Sequence, residues 1–272
     1  MFEEYYEKLP DKNAYLSRIG IENHDLPPTL ETLDKLIMAH LTHVPFEALD
    51  VYESGLVPRL DIAGLFNKVV TRRRGGYCFE LNAIFMSLLE AVGFEVHAAA
   101  ARIIWRRGDV FPPYSHRITV VVVGGERRYC DVGFGGPSPT RAVLIDSDEL
   151  QEAENDRFIV RTGDRDSKTV RRVTDDGEEA ILYFLAQPYD PVDFIPLNFY
   201  ISQNDTSLFR TKRTLNIKTP EGSSAIDGDI LRIRANGVLT ETPLTSTEDT
   251  RKAMLNHFGI IYDGELKSPA VV

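Results

Sequence analysis

The sequence predicts an α+β fold, with a helical N-terminal third followed by an antiparallel sheet or barrel and a last helix near the end. Three observations carry this. Apolar residues recur at helical spacing before Phe94, β-rich runs take over after it, and acidic or glycine-bearing stretches separate those runs at hairpin distances.

The helices come first. Thr29, just after Pro27-Pro28, is placed to cap a helix on which Leu30, Leu33, Leu36 and Ile37 form one apolar stripe. Asp61 caps a second, which buries Leu65, Phe66 and Val69 and runs into Arg72, Arg73 and Arg74. A third opens near Cys78, places Leu81, Ile84, Phe85, Leu88 and Leu89 on one broad face, and stops at Gly93, a residue suited to the left-handed position after a helix.

Strands are then expected at 96–104, 117–123, 127–132, 157–161, 169–173 and 180–185, with hairpin tips at 162–168 and 174–179. Further strands at 211–218, 230–235 and 238–242 precede a helix capped by Ser246 and ended by Gly259.

Composition narrows the function. A chain of 272 residues buries enough surface to fold without a disulfide or metal staple. No apolar stretch approaches a membrane span, and MFEEYYEKLP has neither the basic start nor the apolar run of a secretion signal, so a cytoplasmic protein with no membrane partner is expected. The net charge of -10 argues against nucleic acid as a partner. Cys78 and Cys130 form no CxxC pair and the six histidines no HExxH spacing, so no metal is expected. The oligomeric state stays open.

The segment Arg73-Arg74-Gly75-Gly76-Tyr77-Cys78 carries the strongest chemical signal. Its two glycines free the backbone before a cysteine that opens a helix, where the positive end of the helix dipole favours a thiolate. Downstream, His116 starts one strand and Asp131 ends the next, and Gly124-Gly125 between them points to a hairpin that brings the two side by side. Asp131 can then orient His116 while the other ring nitrogen faces Cys78, the nucleophile, base and orienter arrangement of thiol enzymes. His24, His40, His43, His97 and His257 read as structural. So does Cys130, which as the strand neighbour of Asp131 points to the opposite face.

Taken together, Tyr15-Leu16-Ser17-Arg18-Ile19-Gly20, Val44-Pro45-Phe46-Glu47, the run from Arg74 to Asn82, His116 and Asp131-Val132-Gly133-Phe134-Gly135 closely resemble the arylamine N-acetyltransferases. Beyond residue 200 the likeness rests on Asn198-Phe199-Tyr200-Ile201-Ser202 and Ser207-Leu208-Phe209. The resemblance implies an N-terminal helical bundle (1–93) carrying Cys78, a central antiparallel β-barrel (94–200) carrying His116 and Asp131 in a papain-like Cys-His-Asp arrangement, and a C-terminal α/β lid (201–272).

It further implies acetyl transfer from acetyl-CoA, as co-substrate, to an arylamine or hydrazine through an acetyl-Cys78 intermediate. Cys78 is then the nucleophile, His116 the base and acid, and Asp131 the orienter. Phe46, Phe134 and Phe209 would line the acceptor pocket, and Arg74 would pair with Glu47 behind the cysteine. Ala48 departs from the asparagine many relatives carry there, and Asp50 is placed to supply the missing hydrogen bond. For coenzyme A, Gly133, Gly135 and Gly136 permit close approach of backbone NH groups to phosphate. Arg210, Lys212 and Arg213 form a nearby basic cluster. The competing readings are an amide- or macrolactam-forming acyltransferase, a thiol hydrolase of papain or transglutaminase type, and a binding module without chemistry.

Overall fold

The structure, a computed structural model, describes residues 2–108, 110–154 and 156–269. Met1 and residues 270–272, the outer ends of the expected first and last domains, lie outside the described residues.

The helical part begins with α1 (Lys12–Arg18) and α2 (Leu30–His43), where the Thr29 hydroxyl accepts from the Thr32 amide as expected. A two-residue strand β1 (Phe46–Glu47) and a short helix α3 (Leu49–Tyr52) interrupt the run that the sequence reads as helical throughout. Asp61 caps α4 (Ile62–Phe66) through the Gly64 amide, but the helix does not continue regularly to the arginines. It widens into a π-turn over Asn67–Thr71, and that turn delivers Arg74 to the interior while Arg72 and Arg73 stay exposed. Helix α5 (Cys78–Val92) is buried around its whole circumference from Cys78 to Leu89, its buried polar residues being Glu80, Asn82 and Ser87. It packs between the helical core and the sheet, so truncating Leu88 to alanine is expected to cost about 2–5 kcal/mol. Gly93 ends it with φ 108°.

Eight antiparallel strands follow: β2 (Glu95–Ile103), β3 (His116–Val123), β4 (Glu126–Cys130), β5 (Val143–Leu144), β6 (Gln151–Ala153), β7 (Asp156–Thr162), β8 (Ser167–Thr174) and β9 (Gly177–Leu185). Their spatial order, β5-β4-β3-β2-β9-β8-β7-β6, makes a nearly closed barrel. Its free edges meet through one side chain, the Gln151 amide, which accepts from the Leu144 amide and donates to the Leu144 carbonyl. Inside, Ile118, Val120, Tyr129, Phe158, Leu182 and Phe184 form a core of their own. On the other face of the hairpin, Val121 and Cys130 join the helical core instead, which is how α5 comes to lie against the barrel.

Helix α6 (Phe194–Gln203) runs across the junction expected near residue 200. Ser207 then starts a short helix α7 (Leu208–Thr211), so the strand expected from 211 begins only at β10 (Thr214–Thr219). Strand β11 (Gly222–Asp227) pairs with β10 and with β12 (Ile230–Ala235), and β13 (Val238–Pro243) forms the far edge. The other edge is β1, whose Phe46 pairs with Asn216, so the C-terminal sheet is completed by a strand from the helical part. Helix α8 (Thr247–Phe258), capped by Ser246 and ended by Gly259, covers it.

Candidate active site

The two glycines before Cys78 serve close packing. A Cβ at Gly75 would overlap the Pro45 carbonyl, and one at Gly76 would sit 2.8 Å from the Glu80 Cβ. Their absence lets the loop run beside β1, where the Glu47 amide donates to the Gly76 carbonyl at 2.8 Å. This fixes where α5 begins. Cys78 is its first residue and is buried, with Sγ 3.9 Å from the Ser115 carbonyl oxygen.

His116 opens β3 and Asp131 directly follows β4, the two arms of one hairpin. His116 Nε2 lies 2.6 Å from Asp131 Oδ2, and Cys78 lines the same cleft as the ring. The structure thus brings Cys78, His116 and Asp131 together. Burial opposes a charge on His116, but the Asp131 carboxylate and Cys78 outweigh it and push the imidazole up to about 10. Burial likewise opposes charge on Asp131, yet His116 and the surrounding donors hold it below its ordinary value. Cys130 is a free, buried thiol, and burial pushes its ionisation well up.

Asp131 is held by more than the sequence reading found. Its Oδ2 also accepts from the Tyr129 hydroxyl at 2.9 Å, and its Oδ1 accepts from Asn82 Nδ2 at 2.9 Å and the Gly133 amide at 2.8 Å. Asn82 further donates to the Arg117 carbonyl at 2.6 Å and accepts from the Val132 amide at 3.0 Å, which ties α5 to both arms of the hairpin. Both residues had a signal in the sequence. Asn82 lies one helical turn past Cys78, and Tyr129 lies two residues before Asp131 on the same strand face.

A second buried set of charges braces the other side of the turn. Arg74 Nε donates to Glu47 at 2.9 Å, and its Nη2 reaches Asp50 at 2.9 Å. Lys68 lies 2.7 Å from both Asp50 and Glu80, whose other oxygen accepts from the Tyr77 amide at 3.0 Å. Three carboxylates here meet two cations. Burial pushes Glu80 up to about 7 despite Lys68, whereas Lys68 and Arg74 overcome burial to hold Asp50 down to about 2.

Cys78 and His116 face a cleft of about 590 Å³ that Phe46, Phe134, Phe209, Gly133, Gly135 and Gly136 also line. Phe134 meets the His116 ring edge-on at 5.8 Å, and Phe46 lies 5.9 Å from Phe209. Gly133 has its amide committed to Asp131, and a Cβ there would approach the Cys78 Cα to 2.8 Å, so its bareness lets hairpin and helix meet. Gly135, at φ 68°, packs on the Phe46 ring. Trp105, Arg106, Arg107, Tyr200 and Leu208 also line the cleft and were not anticipated. The basic cluster is already paired: Arg210 with Asp205, Lys212 with Asp227, and buried Arg213 with Glu53 and Asp229. Among the described residues no cluster of three or more His, Cys, Asp or Glu could hold a metal ion, and no helix is long and apolar enough to cross a membrane.

Comparison with known proteins shows the family. A family model described as N-acetyltransferase matches residues 29–266. The chain is 33% identical over 256 residues to an arylamine N-acetyltransferase of Mycolicibacterium smegmatis, covering 92% of each. Its fold is similar to a solved M. smegmatis arylamine N-acetyltransferase, with a TM-score of 0.85, 31% identity and 92% of each chain covered. It is also similar to the Mycobacterium marinum arylamine N-acetyltransferase in complex with CoA, with a TM-score of 0.84, 26% identity, and 92% of this chain and 93% of that one covered. Matched over most of its length in both sequence and fold, the chain belongs to the arylamine N-acetyltransferase family.

Proposed function

We propose that this enzyme moves an acetyl group from acetyl-CoA to the nitrogen of an arylamine or hydrazine in two half-reactions, through a thioester on Cys78. The observation that carries the reading is the 2.6 Å contact of His116 with Asp131 in the same cleft as a cysteine that opens α5. The coenzyme A complex of the M. marinum relative and the names of the other relatives support the choice of donor and acceptor.

In the first half-reaction the Cys78 sulfur adds to the acetyl carbonyl, and the negative oxygen that forms is met by backbone NH at the start of α5, ahead of the Glu80 and Leu81 amides that donate to the Tyr77 carbonyl. The intermediate collapses with loss of coenzyme A, whose thiolate takes the proton from His116. In the second, the amine nitrogen adds to acetyl-Cys78, His116 accepts the proton, and the Cys78 sulfur leaves. Asp131, with its four donors, keeps His116 in one orientation through both. Phe46, Phe134 and Phe209 are the acceptor walls in this reading, and Gly135 and Gly136 the backbone nearest the donor. Gly133 acts there through packing. The helical part, barrel and C-terminal sheet act as three domains in this scheme, each with its own core.

Steady-state kinetics with both substrates varied test the proposal. A double-displacement pattern of parallel reciprocal plots is expected, and intersecting lines would overturn the two-step scheme.

A further inference from the structure

The cleft is cationic in an acidic protein. The chain has 41 Asp and Glu against 31 Lys and Arg, yet among the described residues no carboxylate lines the cleft. Apart from His116, its charged lining consists of Arg106 and Arg107. Neither forms an ion pair with any described residue, whereas Lys68, Arg74, Arg210, Lys212 and Arg213 all do.

Arg106 is also held in place. Its guanidinium lies 4.5 Å from the centre of the Trp105 ring, and the Trp105 indole donates to Glu179 at 2.8 Å. Trp105 meets Phe134 edge-on at 6.1 Å, and Phe134 meets His116 at 5.8 Å. Ring contacts therefore run unbroken from the imidazole beside Cys78 to a fixed guanidinium. A stacked arginine keeps its forked donors free for a carboxylate or phosphate and loses little freedom when it binds one. An anion approaching a molecule of net charge -10 needs such local compensation.

We infer that Arg106 and Arg107 form the anion-recognising end of the cleft, taking the phosphate or carboxylate of a ligand whose reacting end lies at Cys78. Which end reacts rests on the acetyl-transfer reading above; the charge complementarity does not. Two sources fit: the phosphates of the donor, and a carboxylate on the aromatic amine.

The test compares wild type with the Arg106→Ala/Arg107→Ala double variant, both residues being exposed. The donors are acetyl-CoA and the acetyl thioester of N-acetylcysteamine, which lacks phosphate; the acceptors are para-aminobenzoate and its neutral amide. A KM rise of about tenfold confined to acetyl-CoA assigns the site to donor phosphate, and one confined to para-aminobenzoate assigns it to the acceptor. Unchanged KM for all four, or equal losses with charged and neutral ligands, overturns the inference. Calorimetric binding of coenzyme A and of para-aminobenzoate to the two proteins reads the same site without turnover, so failure of acetyl transfer is told apart from failure of anion recognition.

Discussion

The first turn of α5 separates two buried sets of charges. Cys78 and Asn82 share one face with His116 and Asp131, while Glu80, about 200° around the helix, joins Glu47, Asp50, Lys68 and Arg74. In the second set each carboxylate contacts a cation of the set, and none of the groups lines the cleft. In the first, every carboxylate oxygen of Asp131 is satisfied, yet the imidazole it holds lines an open cleft together with Cys78. In the proposed mechanism, similar chemical groups thus give rigidity where the charges close on themselves and reactivity where one partner is left facing the cleft. Variants in the first set should lose rate and keep stability, and variants in the second should do the reverse.

The largest effect is expected at the nucleophile. Cys78→Ala should abolish acetyl transfer in a protein that unfolds near the wild-type temperature, whereas Cys130→Ala, on the opposite strand face, should keep most activity. Equal losses at the two cysteines in folded protein would remove the distinction between them.

Next comes Asp131→Asn, which keeps the size but replaces a charged acceptor with an amide. Loss of the carboxylate in a serine triad lowers turnover by about 10⁴, and a thiol depends less on its base, so a loss of about 10² to 10⁴ is expected. Single-turnover acetylation and thermal unfolding on one preparation check it; a folded variant with the wild-type rate would end the role of Asp131.

On the other side of the turn, Arg74→Ala leaves Glu47 short of a cation in the interior. Breaking such a pair costs about 3–5 kcal/mol, so denaturant unfolding should show a loss of that size. The acetylation rate of the remaining folded protein should stay close to wild type. A stable Arg74→Ala protein with a collapsed rate would mean that the two sets are one.

The legibility of the sequence follows the same division between local and distant causes. Cys78, His116 and Asp131 were named from signals within a few residues: two glycines before a helix start, a histidine opening a strand, and a Gly124-Gly125 turn between two strands. The helix-then-strand order was readable for the same reason. What escaped depends on distant partners. Strand β1 is two residues long and exists because β10 lies beside it, and β11, with Gly222, Ser223 and Ser224, lacks the bulky alternation that marks a strand. Arg213 reads as part of a basic cluster for coenzyme A but is buried between Glu53 and Asp229. Arg106 and Arg107 sit in a loop whose place over the cleft is set by Trp105 packing on Phe134.

The smallest expected effect concerns pH. His116 lies above its unfolded value of 6.5, so the stability its charged form contributes is fully present below 6.5 and is lost as pH rises through about 10. The imidazolium also draws an anionic reagent to Cys78. The ratio of iodoacetate to iodoacetamide alkylation rates should therefore stay level through neutral pH and fall through about 10. A fall centred near 6.5 would show that Asp131 does not hold the proton on His116.

The most direct test of the account is rapid mixing of the enzyme with acetyl-CoA in the absence of any amine, followed by peptide mapping. A burst of free coenzyme A stoichiometric with enzyme is expected, with acetyl on Cys78 that disappears when an arylamine is added. Release of coenzyme A only when the amine is present, or acetyl mapping to another residue, would contradict it.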